Sequence, residues 1–296
     1  MATTLVRPAA PVRTKTARPL ARKVLRPASL YLACLLVACL TVFPFLWMVT
    51  TSFKEPTEAV VLPPKWLPDP FTWQNYRELF TSPILPFTRF IWNSTKITVL
   101  VVIGRLIVCS LGAYGFARLS FPGRDVAFAL LLASLMIPDL LGTIPLYAAY
   151  ASIGWLNTHL PLIVPPIVAN TFGTFLLRQF FLTIPKELED AALIDGANHL
   201  DIYWRIMLPL SKPVLATLAV FTFMGTWNDF FHPLIYLSKV NLFTLALGLA
   251  FFQGQYATDY TMLMAGVVVS VIPILCVYAF AQQYFTRGIV LSGLKG

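Results

Sequence analysis

Six apolar stretches, each near the length of a bilayer crossing, dominate this sequence. A crossing helix needs about 20 mostly apolar residues. Residues 30–51, 89–117, 126–150, 160–177, 214–237 and 261–285 each come close to that. The first and last carry no charge, the second embeds Lys96 and Arg105, the third Asp139 and the fifth Asp229. Residues 242–252 are apolar but too short to cross, and read as an outer loop or partial helix. The pattern predicts an all-α membrane protein of six transmembrane helices. Composition agrees: only 12% of residues are charged, against about 25% in soluble domains. Many of the 23 prolines fall inside the apolar stretches, which predicts kinked helices supported by their neighbours.

Orientation follows from the placement of Lys and Arg, which favour the cytoplasmic side. The tail, residues 1–29, holds Arg7, Arg13, Lys15, Arg18, Arg22, Lys23 and Arg26 and no acidic residue. Arg118 and Arg124 follow the second span, Arg178, Lys186, Arg205 and Lys212 lie between the fourth and fifth, and Arg287 and Lys295 follow the sixth. Both termini are therefore expected in the cytoplasm. The loop 52–88 is expected outside although it contains Lys54, Lys65 and Arg77, because it is long and also carries Glu55, Glu58, Asp69 and Glu78. The tail lacks apolar periodicity and is expected to be disordered. The run after it is span-length with no small-residue cleavage site, which argues against a secretory signal. Cys34, Cys39, Cys109 and Cys276 all lie in apolar runs without metal-ligand spacing, so neither a disulfide nor a metal site is expected. No basic face interleaved with aromatics suggests nucleic-acid binding.

One stretch breaks the apolar pattern: ELEDAALIDGANHLDIYWRIMLPL, residues 187–210. Pro185 suits a helix start, and Glu187, Glu189 and Asp190 complement the helix dipole in the early turns. Ala191 and Ala192 permit close approach of another surface, and Leu193 and Ile194 are apolar in a segment that should be wet. Gly196 can take the left-handed conformation that closes a helix. Asn198 followed by Asp201 can start a second short helix, and Pro209 and Pro213 mark the return to the membrane. Two short helices with an apolar side outside the bilayer form either a docking element or an amphipathic connector.

The intramembrane polar residues are candidates for a transport pathway, since ionisable groups there cost at least about 2.5 kcal/mol. At 1.5 Å per residue, Asp139 lies roughly 20 Å from the inner end of its span, and Asp229 lies at comparable depth. Asn170 is near the middle of the fourth span. Trp227, Asn228 and Asp229 together offer the ring, amide and carboxylate that suit a sugar, or else Asp229 only ties helices together. Arg105, nearer the inner face, either snorkels or pairs with a carbonyl or a partner chain. His232 reads as structural or as a proton relay. Trp66, Trp73 and Tyr76 read as interfacial aromatics or as a docking surface for an external protein.

The interrupting stretch resembles the EAA loop of ABC importer permeases, written E-A-A, three residues, G, nine residues, I-x-L-P. Here it reads Asp190-Ala191-Ala192, Gly196, then Ile206 to Pro209, with Asp in place of the family's Glu and Glu189 beside it. IPKELEDAALIDGA is similar to the carbohydrate branch, the MalG-like permeases, as are TSFKEP, LGAYGFARLSFPGR, MIPDLLGTIPLY, TWNDFFHPLIYL and the terminal GLKG. The resemblance runs from Leu30 onward. It implies a permease domain over residues 30–296, with the EAA loop at 184–213 between spans four and five, in a bacterial plasma membrane. It implies a second, MalF-like permease, two ATPase subunits and an extracytoplasmic sugar-binding protein as partners. The coupling residues it implies are Glu189, Asp190, Ala191, Ala192, Leu193, Ile194, Gly196, Ile206, Leu208 and Pro209. The first group would fill an ATPase cleft, and Ile206, Leu208 and Pro209 would anchor the second arm to span five.

The chain has no G-x-x-x-x-G-K-[ST], so no phosphate-cradling loop of its own; ATP and Mg²⁺ would sit on the ATPase, and this chain is expected to bind no cofactor and catalyse no reaction. The competing reading is a stand-alone secondary transporter or channel with Asp139 and Asp229 as ion or proton sites. An ATPase-docking loop would be superfluous there. No paired-His motif or nucleophile elbow supports an intramembrane enzyme. The acidic buried charges favour a neutral sugar over a phosphorylated one, without naming it.

Overall fold

The computed structural model describes residues 20–82, 85–252 and 259–293, and among them there is no strand. The chain divides into two compact units after Trp47. The first contains most of α1 (Leu20–Thr51). Its apolar side chains from Leu30 onward stand exposed, as expected of a surface meant for lipid. The helix begins at Leu20, inside the stretch 1–29 expected to be disordered; residues 1–19 lie outside the described residues. Leu, Ala, Arg and Lys are strong helix formers, so a span helix continues readily into residues 20–29.

The second unit is built around α3 (Phe87–Arg118), an unbroken helix of 32 residues. Before it comes α2 (Gln74–Thr81). After it come α4 (Arg124–Ala133), α5 (Thr143–Ser152), α6 (Leu160–Val168), α7 (Thr171–Thr183), α8 (Glu187–Ile194), α9 (His199–Ile202), α10 (Leu208–Leu210), α11 (Lys212–Trp227), α12 (Phe231–Tyr236), α13 (Leu245–Phe251) and α14 (Tyr260–Gly293). Helices α6, α7, α11 and α13 all pack on α3. Its first half contributes Phe87, Phe90, Ile97 and Val101 to one buried cluster with Leu162, Trp227, Tyr236 and Leu245. Its second half contributes Cys109, Ala113, Tyr114 and Ala117 to another, with Leu177, Phe181, Ile202, Tyr203, Met207 and Leu218.

Among the described residues, four helical stretches are long and apolar enough to cross a membrane, and two bent pairs bring the number to as many as six. The third sequence span is not a straight rod. It bends by 91° between Arg124–Met136 and Asp139–Ser152, because Pro138 drives Ile137 into extended backbone (φ −88°, ψ 116°). A depth for Asp139 counted along a continuous helix therefore does not apply. The fifth span also stops early: α11 ends at Trp227, and residues 228–230 separate it from α12.

The loop 52–73 folds on itself. Phe53 stacks on Phe71 with centroids 4.8 Å apart and meets Trp73 edge-on at 4.9 Å. Lys54, 1% exposed, donates to the Lys65 carbonyl. Asn75 donates to the carbonyls of Ser52 and Lys54 and accepts from Thr261, which ties this loop to α14. On the same connecting side, half-buried His159 bonds the Leu242 carbonyl at 2.9 Å. Burial, with a smaller contribution from Lys96, lowers its pKa below the ordinary 6.5 against the opposing carbonyl bond.

Close contact of α3 with α7 requires Gly173. A Cβ there would lie 2.9 Å from Cys109 Sγ and 3.0 Å from Leu218 Cδ1. Gly173→Val should therefore cost about 1–3 kcal/mol by overpacking, more than the gain of under about 1 kcal/mol from removing a helical glycine. A lowered denaturation midpoint of the purified protein is the expected reading.

Candidate docking loop and membrane cleft

The loop after α7 folds as two short helices joined by a glycine. α8 closes with a Schellman arrangement: Ala197 N–H donates to Ala192 O at 2.9 Å and Gly196 N–H to Leu193 O at 3.1 Å. Gly196 has φ +85°, the left-handed conformation this closure needs. Asn198 then caps α9, accepting from the N–H groups of Leu200 and Asp201, both at 2.9 Å, while its own N–H reaches Asp201 Oδ2. A π-helical turn over Tyr203–Met207 leads into α10, with Leu208 N–H bonded to Tyr203 O.

The second arm is seated in the core. Ile202, Tyr203 and Met207 are buried, and Ile206 and Leu208 pack against the same cluster. Tyr203 Oη lies 2.7 Å from Ser110 Oγ on α3. Pro209 is exposed, in the first turn of α10. The first arm is different: α8 has no buried residue. Asp190, Ala191, Leu193 and Gly196 are exposed, and Ile194 is 86% exposed. Ala192 instead leans on the chain's own core. The outward apolar face also includes Leu188, Leu200 and Trp204, which sequence reasoning did not single out.

Arg118 was missed as well. At the end of α3, its side chain is 2% exposed and its Nε lies 2.9 Å from Glu189 Oε1. Its Nη2 donates to Phe181 O at 2.7 Å and Ile184 O at 2.5 Å. The contact with Glu189 is charge against charge, not an aligned hydrogen bond. Breaking a buried pair by removing one partner costs about 3–5 kcal/mol. The only sequence hint was a lone Arg in the last turn of an apolar helix; nothing in the order of residues pairs position 118 with position 189. Glu189 thus makes the ion pair within the chain, while Asp190 makes none among the described residues.

Deeper in the same unit lies a cleft of about 730 Å³, lined by Arg105, Ser134, Asp139, Asn170, Thr171 and Phe172, among others. Two helix breaks meet there. One follows Met136, and the other separates α6 from α7 at Ala169 and Asn170. Ser134 Oγ joins them through Thr171 Oγ1 at 2.9 Å. Irregular backbone at membrane depth is tolerated where it lines a cavity or is covered by protein, and side chains here serve the freed groups. Arg105 Nε donates to Pro166 O at 2.7 Å, one of the carbonyls left over where α6 ends. Asn170 Oδ1 accepts from Gly173 N–H at 2.6 Å and caps α7. Asp139, exposed, opens the 3₁₀ turn Asp139–Gly142.

The other pathway candidates do not line this cleft. Trp227 is 4% exposed, stacks on Phe223 and donates through Nε1 to Ser270 O at 3.1 Å, which ties α11 to α14. Asn228 is exposed but bonds back to Met224 O. Asp229 accepts from His232 Nδ1 at 3.0 Å. No group of His, Cys, Asp and Glu suited to a metal ion occurs among the described residues.

Residues 106–290 match the family model described as binding-protein-dependent transport system inner membrane component. The chain belongs to that family. Among its relatives is the arabinooligosaccharides transport system permease protein AraQ of Halalkalibacterium halodurans, 37% identical over 88% of this chain and 93% of that protein. Another is the trehalose/maltose transport system permease protein MalG of Thermococcus litoralis, 31% identical over 93% and 99%. A bacterial ABC transporter involved in the import of the acidic polysaccharide alginate shares the fold, with a TM-score of 0.77 at 23% identity over 92% of this chain and all of that one. This member of the binding-protein-dependent family is thus an ABC importer permease subunit, a transport component and not an enzyme. The stand-alone carrier reading falls with that membership.

The left-handed closure of α8 gives a direct check. Gly196→Val should strain the turn by about 1–2 kcal/mol, leaving helicity and membrane insertion intact but reducing the ATPase that copurifies. Gly196→Asn, which tolerates the left-handed region, should retain more of it.

Proposed function

We propose that this chain forms half of the translocation pathway for a sugar or sugar derivative in a bacterial plasma membrane, and receives force at α8 from a separate ATPase subunit. The observation that carries the reading is the set of exposed apolar side chains, Ala191, Leu193, Ile194, Leu200 and Trp204, on a loop whose other arm is anchored in the core. Apolar side chains left exposed together on one such loop call for a partner. Asp190 and Ala191 would meet the ATPase, Gly196 would fix the angle between the arms, and Ile206, Leu208 and Pro209 would carry the second arm toward α11. ATP and Mg²⁺ would be held by the two ATPase subunits.

The other partners are a second, MalF-like permease and an extracytoplasmic sugar-binding protein. The relatives' names, which include arabinooligosaccharides, trehalose/maltose and diacetylchitobiose, support an oligosaccharide cargo. Asp139 and Asn170, joined by Arg105, offer acceptor and donor groups to its hydroxyls. Trp227 is a core residue that ties α11 to α14.

On this reading there are six crossings with both termini inside, the bent stretch 124–152 counting as one and the fifth beginning at α11, after the docking loop. In a chain without other reactive cysteines, Thr57→Cys should label from outside and Asn198→Cys only from the cytoplasm. Outside labelling at position 198 would invert the orientation and remove the docking argument. Asp139→Ala and Asn170→Ala should lower uptake across a panel of labelled oligosaccharides at least several-fold while the complex still assembles. Loss of assembly at unchanged uptake per complex would mark these residues as helix ties instead.

A further inference from the structure

We propose that Arg118 is a positioning residue for coupling: its clamp on Glu189 makes α8 move with α3, so that force applied to the docking loop reaches the cleft. The proposal rests on the importer reading and adds a transmission route to it.

One guanidinium gathers three elements. It belongs to α3, it donates to Phe181 O and Ile184 O at the end of α7, and it faces Glu189 on α8. Both carbonyls lie at the end of α7, where Phe181 O also accepts from Ile184 N–H, and a cation there complements the dipole of α7. The site therefore holds Arg118 in place before Glu189 is considered. α8 has little else to hold it: none of its residues is buried, and Ala192 is the one that packs on the core. Without the ion pair, α8 could pivot about the turn that follows α7.

The far side of the joint is a rod. α3 runs unbroken from Phe87 to Arg118, whereas the stretches 124–152 and 160–183 are interrupted at the cleft. Arg105, which lines that cleft and bonds Pro166 O, lies 13 residues before Arg118, or about 20 Å along the helix. A displacement of α8 that carries Arg118 with it must also shift Arg105 and the broken end of α6. The adjacent acids divide the work: Glu189 turns inward to the clamp, and exposed Asp190 remains for the ATPase.

The test uses the full complex of permeases, ATPases and binding protein in lipid nanodiscs, with the four native cysteines replaced. A cysteine at Ser134 reports on the cleft through its rate of reaction with a small charged methanethiosulfonate. A cysteine at Ile194 reports on ATPase contact through its protection from the same reagent. In the wild-type background MgATP should change the rate at position 134 at least fivefold. In Glu189→Gln and Arg118→Gln that change should shrink below twofold while position 194 stays protected, and the double variant should be no worse than the worse single. A preserved ATP response in Glu189→Gln, additive losses in the double variant, or loss of protection at 194 in Glu189→Gln would overturn the clamp. If Arg118→Gln fails to assemble, the isosteric Glu189→Gln decides alone. Failure of the importer reading would look different: position 194 would be unprotected in the wild-type background itself.

Discussion

Inside a bilayer, a carbonyl or N–H released from a helix must find a partner in the protein, and that constraint shapes the cleft of this molecule. The helix breaks at Pro138 and at Ala169–Asn170 free backbone groups. Arg105 serves Pro166 O, Thr174 bonds Asn170 O, and the Asn170 side chain caps α7. Of these, Arg105 and Asn170 also line the cleft, together with Asp139. On the proposed function, recognition chemistry and backbone repair would occupy one place, since both need polar groups where hydrocarbon forbids them elsewhere. The intact helix α3 provides the fixed surface against which the broken segments can be held.

Much of this was legible in the order of residues. Length and apolarity mark the long helices, and Pro138 marks a break through the backbone it imposes on its neighbour. Gly196, Asn198 and Asp201 specify the turn of the docking loop, because a left-handed glycine and a reciprocal cap are local devices. What stayed hidden depends on which side of a helix faces which neighbour. Trp227 looked like a sugar platform beside Asn228 and Asp229, yet its ring lies in the core against Phe223. Ala192 looked equivalent to Ala191, yet one leans inward and the other out. Arg118 and Glu189 are brought together only by the return of α7 alongside α3, a tertiary fact that no local spacing carries. Arg105 was visible as a costly charge, but its reason, an orphaned carbonyl at the end of α6, required the break itself.

The two buried clusters on α3 divide the second unit along its length. One, around Phe87, Phe90 and Val101, joins α13, α14 and residues 236–243; the other, around Tyr114 and Ala117, takes in α7 and the seated arm of the loop after it. Arg105 lies between them in sequence. Polar chemistry therefore sits at the seam between two cores that share the unbroken helix α3.

The π-helical turn at Tyr203–Met207 gives residue count a geometric meaning. A wide turn accommodates one residue more than an α-helical turn, and each residue of an α-helix advances the direction of its side chains by about 100°. The nine residues between Gly196 and Ile206 therefore fix the phase of the docking face relative to α11. A chimera that imports this loop from a relative with one residue fewer would keep every cap and every apolar side chain, yet present its outward face roughly a quarter turn out of register. For protein engineers, loop length here is a dial setting as well as a spacer, and grafts between family members should be matched on it before they are matched on sequence.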